Sequence, residues 1–277
     1  GNLLVDLETG TPDGRVTIPT INNTATVVGT YTVGVGELIK VLTVKEISLS
    51  AGSLEDASGN DFDGDYSFID DIDADGSAIV IDGVVPDDFS ITSVTTDGGN
   101  SETSDGVTYD DIWNSTNTSA IVRVPLEGEA VDHNTLVKGK IQVQGKITGS
   151  FEPIGSVHTI TNGEATAKYA DVRILEPAIG LLPGHGNGES IIFRAIITDF
   201  AGNSTTGTEN PTESLVIDTT ALKVTKVTSG SQADKHYKLG EGINIKVTFD
   251  GDGTLSDDLL VTHNASVTPF KISTMSN

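Results

Sequence analysis

Ile121-Val122-Arg123-Val124-Pro125-Leu126-Glu127-Gly128 opens apolar, then alternates, and closes on an acid followed by glycine. Ile243-Asn244-Ile245-Lys246-Val247-Thr248-Phe249-Asp250-Gly251 has the same form. Period-two alternation sends one set of side chains to a core and the other to water, the pattern of a half-buried β-strand. The likeness extends outward from both stretches. Val94-Thr95-Thr96 precedes the first and Val227-Thr228-Ser229 the second. Val80-Ile81-Asp82 is echoed by Val216-Ile217-Asp218, and Asp56-Ala57-Ser58-Gly59-Asn60 by Asp199-Phe200-Ala201-Gly202-Asn203. An internal repeat of this kind governs the architecture more than any single element does.

Only residues 88–219 carry all four markers; residues 1–87 hold the back-half pair and residues 220–277 the front-half pair. In the middle segment 70 residues separate Gly128 from Asp199, while 26 follow Gly251 and 55 precede Asp56. Tail and head together approximate one missing interior. The expectation is a complete unit at 88–219, the C-terminal part of a unit at 1–87 lacking its N-terminal strands, and the N-terminal part of a further unit at 220–277. A 1–87 equivalent of the next copy would complete the last part, in the same giant chain or by strand donation from a neighbouring subunit. The physical reason is that a half-unit leaves strand N–H and C=O groups unpaired and an apolar face uncovered. The alternative is two or three divergent domains with ordinary termini.

Composition fits an extracellular all-β protein. The chain has 277 residues, no cysteine, and a net charge of −24 from 40 acidic and 16 basic side chains. Lack of cysteine excludes a disulfide framework and thiolate metal sites. The acidic balance argues against nucleic acid and anionic membrane as partners. No apolar run is long enough for a membrane-spanning helix. Gly1-Asn2-Leu3-Leu4 lacks the basic start and apolar stretch of a signal peptide, so any secretion address lies outside this sequence.

Further strands are expected at Ile141-Gln142-Val143-Gln144 and at Ile191-Ile192-Phe193-Arg194-Ala195-Ile196-Ile197, whose more continuous apolar run suits a central strand. Asp97-Gly98-Gly99-Asn100, Asp105-Gly106, Asn162-Gly163 and Asp250-Gly251-Asp252-Gly253 read as turns. Ala165 to Leu175 has room for a turn or two of helix, and Ile179 to Gly184 reads as a loop. Many short strands without a βαβ rhythm point to antiparallel β-sandwiches.

Leu215-Val216-Ile217-Asp218-Thr219-Thr220, then Val224-Thr225-Lys226-Val227-Thr228, then Tyr237-Lys238-Leu239-Gly240-Glu241 ahead of a strand, resemble the bacterial Ig-like repeats of giant cell-surface proteins and adhesins. The turn at Asp199–Asn203 matches that family's Asp-x-Ala-Gly-Asn, and Asp56–Asn60 matches with Ser58 in place of Ala. Leu222 departs from the family, standing where proline is usual, although Pro86 holds the corresponding place after Asp82. The resemblance implies tandem Ig-like antiparallel β-sandwiches in an extended string on or outside a bacterium. It fixes no ligand.

Carboxylates dominate the candidate chemistry. Asp61, Asp63 and Asp65 precede Asp71, Asp73, Asp75, Gly76 and Asp82, the last five at the D-x-D-x-D-G-x5-acid spacing of a calcium loop. Alternate acids on a tight loop can converge on a hard cation such as Ca²⁺. The helices flanking an EF-hand are missing, so the choice lies between a loop or interdomain calcium site and a solvated acidic loop. Asp82 and Asp218 end units, and Asp56 and Asp199 start turns. The resemblance implies that such junction acids share calcium between consecutive domains; by themselves they are also ordinary turn-capping residues.

Enzyme constellations are weak. His133, His158, His185, His236 and His263 are scattered, and no nucleophile elbow or phosphate-binding loop occurs. Gly184-His185-Gly186-Asn187-Gly188 reads as a turn, and Trp113 as a core or junction anchor ahead of a sugar platform. The expected function is non-enzymatic: a structural spacer of a bacterial surface fibre, filament or adhesin stalk, stiffened by calcium and partnered head-to-tail by copies of itself. The alternative is a glycan- or protein-binding module of a secreted adhesin or enzyme, with an unknown surface ligand.

Overall fold

A computed structural model describes residues 1–19, 21–62, 72–74, 77–98, 111–126, 136–251, 259–261 and 270–272. Strands take up 40% of these residues and helix 5%, so the chain is mostly β, arranged in several antiparallel sheets. None of the described helices is long and apolar enough to cross a membrane.

The first part contains β1 (Leu3–Glu8), β2 (Gly14–Ile18), β3 (Leu38–Ile39), β4 (Thr43–Leu49), β5 (Asp73–Ala74), β6 (Ser77–Ala78) and β7 (Ile81–Asp82). β1 lies between β2 and β4, with Val5 opposite both Val16 and Ile47. β3 pairs with β7, and β5 with β6. Alternation along β2 buries Gly14, Val16 and Ile18 while Arg15 and Thr17 face water. Leu7, Val16, Ile18, Leu42 and Ile81 form a small core of their own. Residues 27–33 lie over this core without joining a sheet. Their side chains still alternate: Val27 and Tyr31 pack on the core while Val28 is 85% exposed. The backbone comes close here, since a Cβ on Gly29 would meet Val16 Cγ1 at 2.2 Å and one on Gly14 would meet the Tyr31 ring at 2.6 Å.

The middle part contains β8 (Ser93–Asp97), β9 (Ile112–Trp113), β10 (Ser119–Pro125), β11 (Lys140–Lys146), β12 (Glu152–Pro153), β13 (His158–Thr159), α1 (Asn162–Ala167), β14 (Tyr169–Leu175), α2 (Glu176–Gly180), β15 (Ser190–Thr198), β16 (Ser204–Thr206) and β17 (Ser214–Ile217). One sheet runs β14-β10-β8, and the other β12-β11-β15-β17-β9, with β13 on β11 and β16 on β15. Both sheets feed one hydrophobic core: Val94, Val122 and Val172 from the first meet Ile141, Phe193 and Leu215 from the second. β15 is central, flanked by β11 and β17, in keeping with its apolar run. One pair departs from the antiparallel expectation: β9 runs parallel to β17, with Val216 opposite Ile112. Trp113 is buried in this core, at 3% exposure, and offers no platform for a sugar.

Two local expectations change. Asn162-Gly163 is not a turn but the start of α1, because Thr161 and Glu164 form a reciprocal capping box. The helix stops at Lys168, which takes φ 64°, and β14 begins at Tyr169. Ala170, Val172 and Ile174 at period two direct most of 165–175 into a strand rather than a helix. The turn at Glu176–Gly180 is helical, with proline in its first turn.

The last part contains β18 (Val224–Ser229), β19 (Ile245–Phe249), β20 (Leu259–Val261) and β21 (Phe270–Ile272), paired as two hairpins. Val227 faces Val247 across the first hairpin, as Val94 faces Val122 across β8 and β10. The sequence markers would instead align Val122 with Ile245. The two-residue offset is even, so the apolar side chains keep to one face. No residue from 219 to 251 is buried.

Candidate functional site

The site is the seam between the two cores, and it is built from the repeated turn. In Asp199–Asn203 the carboxylate of Asp199 folds back on its own loop. Oδ1 accepts the backbone N–H of Gly202 at 2.7 Å and of Asn203 at 2.9 Å, and Oδ2 accepts the Asn203 side-chain amide at 2.9 Å. Backbone bonds from Asp199 N to Asn203 O and from Gly202 N to Asp199 O close the loop. Gly202 adopts φ 106°, a conformation that an L side chain rarely enters. Asp199 is 3% exposed, so these three donors stabilise a carboxylate that water does not reach.

Asp56–Asn60 is the same turn. Oδ1 of Asp56 accepts from Ser58 N at 2.8 Å and Asn60 N at 2.9 Å, and Oδ2 accepts the Asn60 amide at 2.8 Å. The matching backbone pair also forms, and Gly59 takes φ 82°. The Asn60 side-chain amide, followed by the backbone N–H groups of Asn60 and Ser58, holds the Asp56 carboxyl below the usual carboxylate range. The two copies differ in setting, for the first is exposed and the second lies at the seam.

The Asn203 amide also donates to the Asp82 carbonyl at 3.1 Å. From there the chain is gripped repeatedly. The Thr205 hydroxyl donates to the Pro86 carbonyl, the Thr208 N–H to the Phe89 carbonyl at 2.8 Å, and the Asn210 amide to the Ile91 carbonyl at 3.2 Å. Ser90 and Thr208 form a parallel bridge. Each of these three donors lies 119 residues after its acceptor, so 86–91 runs alongside 205–210 in fixed parallel register. On the other side Gly83 is held by the first core: it donates to the Glu37 carbonyl at 2.7 Å and accepts from Gly36 at 2.9 Å. The Glu37 side chain is itself pinned by the Tyr31 hydroxyl and by Gly34 N.

The other marker repeats its geometry as well. Asp82 Oδ1 accepts Val84 N at 3.0 Å and Asp218 Oδ1 accepts Thr220 N at 3.1 Å. Both acids cap the chain as it leaves a unit. Asn187, from the glycine-rich loop, accepts Thr219 N at 2.8 Å, and Gly188 N donates to Ile217 at 2.7 Å, so that loop clamps the end of β17.

The expected metal residues thus separate. Asp199 lies with Asp82, the acid ending the preceding part, and Asp218 ends the opposite side of the unit. Asp61 sits in an isolated bridge with Glu55. Asp73 starts β5, its backbone opposite Ala78. Asp63, Asp65, Asp71 and Asp75 lie outside the described residues. Calcium takes about six to eight oxygens. Among the described residues no three His, Asp or Glu are grouped to hold a metal. Among the described residues of the seam only Asp82 Oδ2 is buried without a partner, and both oxygens of Asp199 are already engaged. At Asp56, Asp82, Asp199 and Asp218 the carboxylates accept N–H groups of their own turns. Thr205, Thr208 and Asn210 were not singled out from the sequence, where nothing signals a hydrogen bond to a carbonyl more than 100 residues earlier. Asn187 was read only as part of a turn, and its bond to Thr219 N has no local signal either.

No family model matches the chain, and neither curated proteins nor solved structures give a match.

Proposed function

We propose that this chain is a structural spacer, a run of tandem Ig-like β-sandwiches in an extracellular bacterial fibre, filament or adhesin stalk. The observation that carries this reading is the twin turn. Asp56–Asn60 and Asp199–Asn203 share both bonds from the asparagine to the aspartate carboxylate and both backbone bonds, and in the second copy the same asparagine also reaches the end of the preceding part. A turn that docks one unit on the one before, recurring along an array, would build length in a defined direction. The two sheets around one core in the middle part support a sandwich. The described seam offers hydrogen bonds between chain segments and no paired acid and base for chemistry. The binding-module reading loses its aromatic platform with Trp113 buried.

Small-angle scattering of the chain tests the spacer. A rod-like distance distribution, with the two cores end to end, is expected. A distribution peaked as for a single globule, unchanged in Asn203→Ala, would overturn it.

A further inference from the structure

Two incomplete sheets in this chain are complementary. β18 and β19 make a two-stranded sheet, and among the described residues the outer edge of β19 pairs with nothing. Its apolar face, with Val227 60% exposed, is uncovered. The first part has the opposite lack. Val27–Val33 lies on the core of β2-β1-β4 with alternating side chains, yet none of its backbone groups bonds to a described residue. The middle part shows the completed arrangement. There β10 carries β8 on one edge and β14 on the other, with Val122 opposite both Val94 and Val172, over a core shared with the facing sheet. β18 and β19 correspond to β8 and β10, through the Val227–Val247 and Val94–Val122 pairs. Among the described residues no sheet joins residues before 87 to residues after 220.

We infer that residues 27–33 of a second copy add to the open edge of β19, antiparallel, as β14 adds to β10. The proposal rests on the spacer reading and names its partner. The added strand supplies the missing ladder, and strand addition of this kind draws affinity from main-chain hydrogen bonds. The second copy's β2-β1-β4 sheet arrives with it and covers Val227 and Val247. The contact is heterologous, so repetition gives an open-ended assembly.

Because the chain lacks cysteine, introduced thiols report pairing cleanly. Lys246→Cys protein is mixed in turn with Val28→Cys, Thr30→Cys and Thr32→Cys proteins, all exposed positions, and oxidised. A disulfide-linked mixed dimer at one of the three positions, at least ten times more abundant than same-variant dimers, is expected. Light scattering of the unaltered chain should show species growing with concentration. Monomers without a cross-link at any position would overturn the proposal, as would a disulfide formed within one copy of the double variant. An elongated monomer in scattering would overturn strand addition and leave the spacer standing. Cross-linked copies that close into a compact pair would keep the strand addition and remove the spacer.

Discussion

The side-chain amide of Asn203 bonds the carbonyl of Asp82, 121 residues earlier, at 3.1 Å. The same amide satisfies Asp199 Oδ2 at 2.9 Å, so one side chain closes a turn and docks one part of the chain on the next. Asn203→Ala leaves a buried carboxylate oxygen short of a donor, and the expected cost is about 1–3 kcal/mol. Urea denaturation measures it. The twin substitution Asn60→Ala, in an exposed turn, should cost clearly less. Equal losses at the two sites would contradict this account of the seam.

The middle core should respond to volume, and the last hairpin should not. Phe193→Ala removes a fully buried ring between the two sheets and is expected to cost about 3–5 kcal/mol. Val94→Ala should cost about 2 kcal/mol. Val227→Ala, at the corresponding place in β18, should shift the midpoint by less than about 0.5 kcal/mol in dilute monomer. A comparable loss at Val227 would show that its face is covered without a second copy.

Arg123 and Asp171 form a two-pronged cross-strand pair, with both N–O distances at 2.7 Å, and Arg123 stacks 4.1 Å from the Tyr169 centroid. The guanidinium holds the Asp171 carboxyl below its usual range. A depressed folded pKa contributes stability above the unfolded value, near ~3.9. That contribution fades as the pH falls through the folded value. The partners are 42% and 39% exposed, so screening limits the gain to about 0.5 kcal/mol. Asp171→Asn should be less stable at pH 7 and indistinguishable at pH 2. A deficit persisting at pH 2 would mean that packing, not charge, is lost.

Calcium should act away from the turns. Millimolar Ca²⁺ is expected to raise the unfolding midpoint through the acid run at 61–76, by mass action on the folded form. Asp71→Asn with Asp73→Asn should abolish the rise. Asn203→Ala should keep it, because Asp199 holds its turn with N–H donors. An unchanged midpoint in the unaltered chain, with no ion bound in calorimetry, would remove calcium from the picture.

Local pattern made some of this legible and left the rest out of reach. Alternation sufficed at 119–125 and 140–146, where each strand finds partners in the same part of the chain. It was not enough at 27–33, where Val27 and Tyr31 pack on the first core but the segment joins no sheet among the described residues. Asp56 and Asp199 read equally well as ligands or caps, since an aspartate before glycine and asparagine suits both. Only the three donors around each carboxylate distinguish the two. The parallel β9–β17 pair joins residues over 100 apart, and no local pattern announces it.

The parallel register of 86–91 against 205–210 also sets how the protein meets a pull. Tension applied from the first core reaches the middle part at residue 82, and it leaves that part after Asp218. In that direction the two segments slide past each other, so the bonds at Pro86, Phe89 and Ile91 are loaded together in shear instead of being peeled off singly. In a stalk stretched along that axis, such a seam would resist in shear, the geometry in which several bonds must break at once.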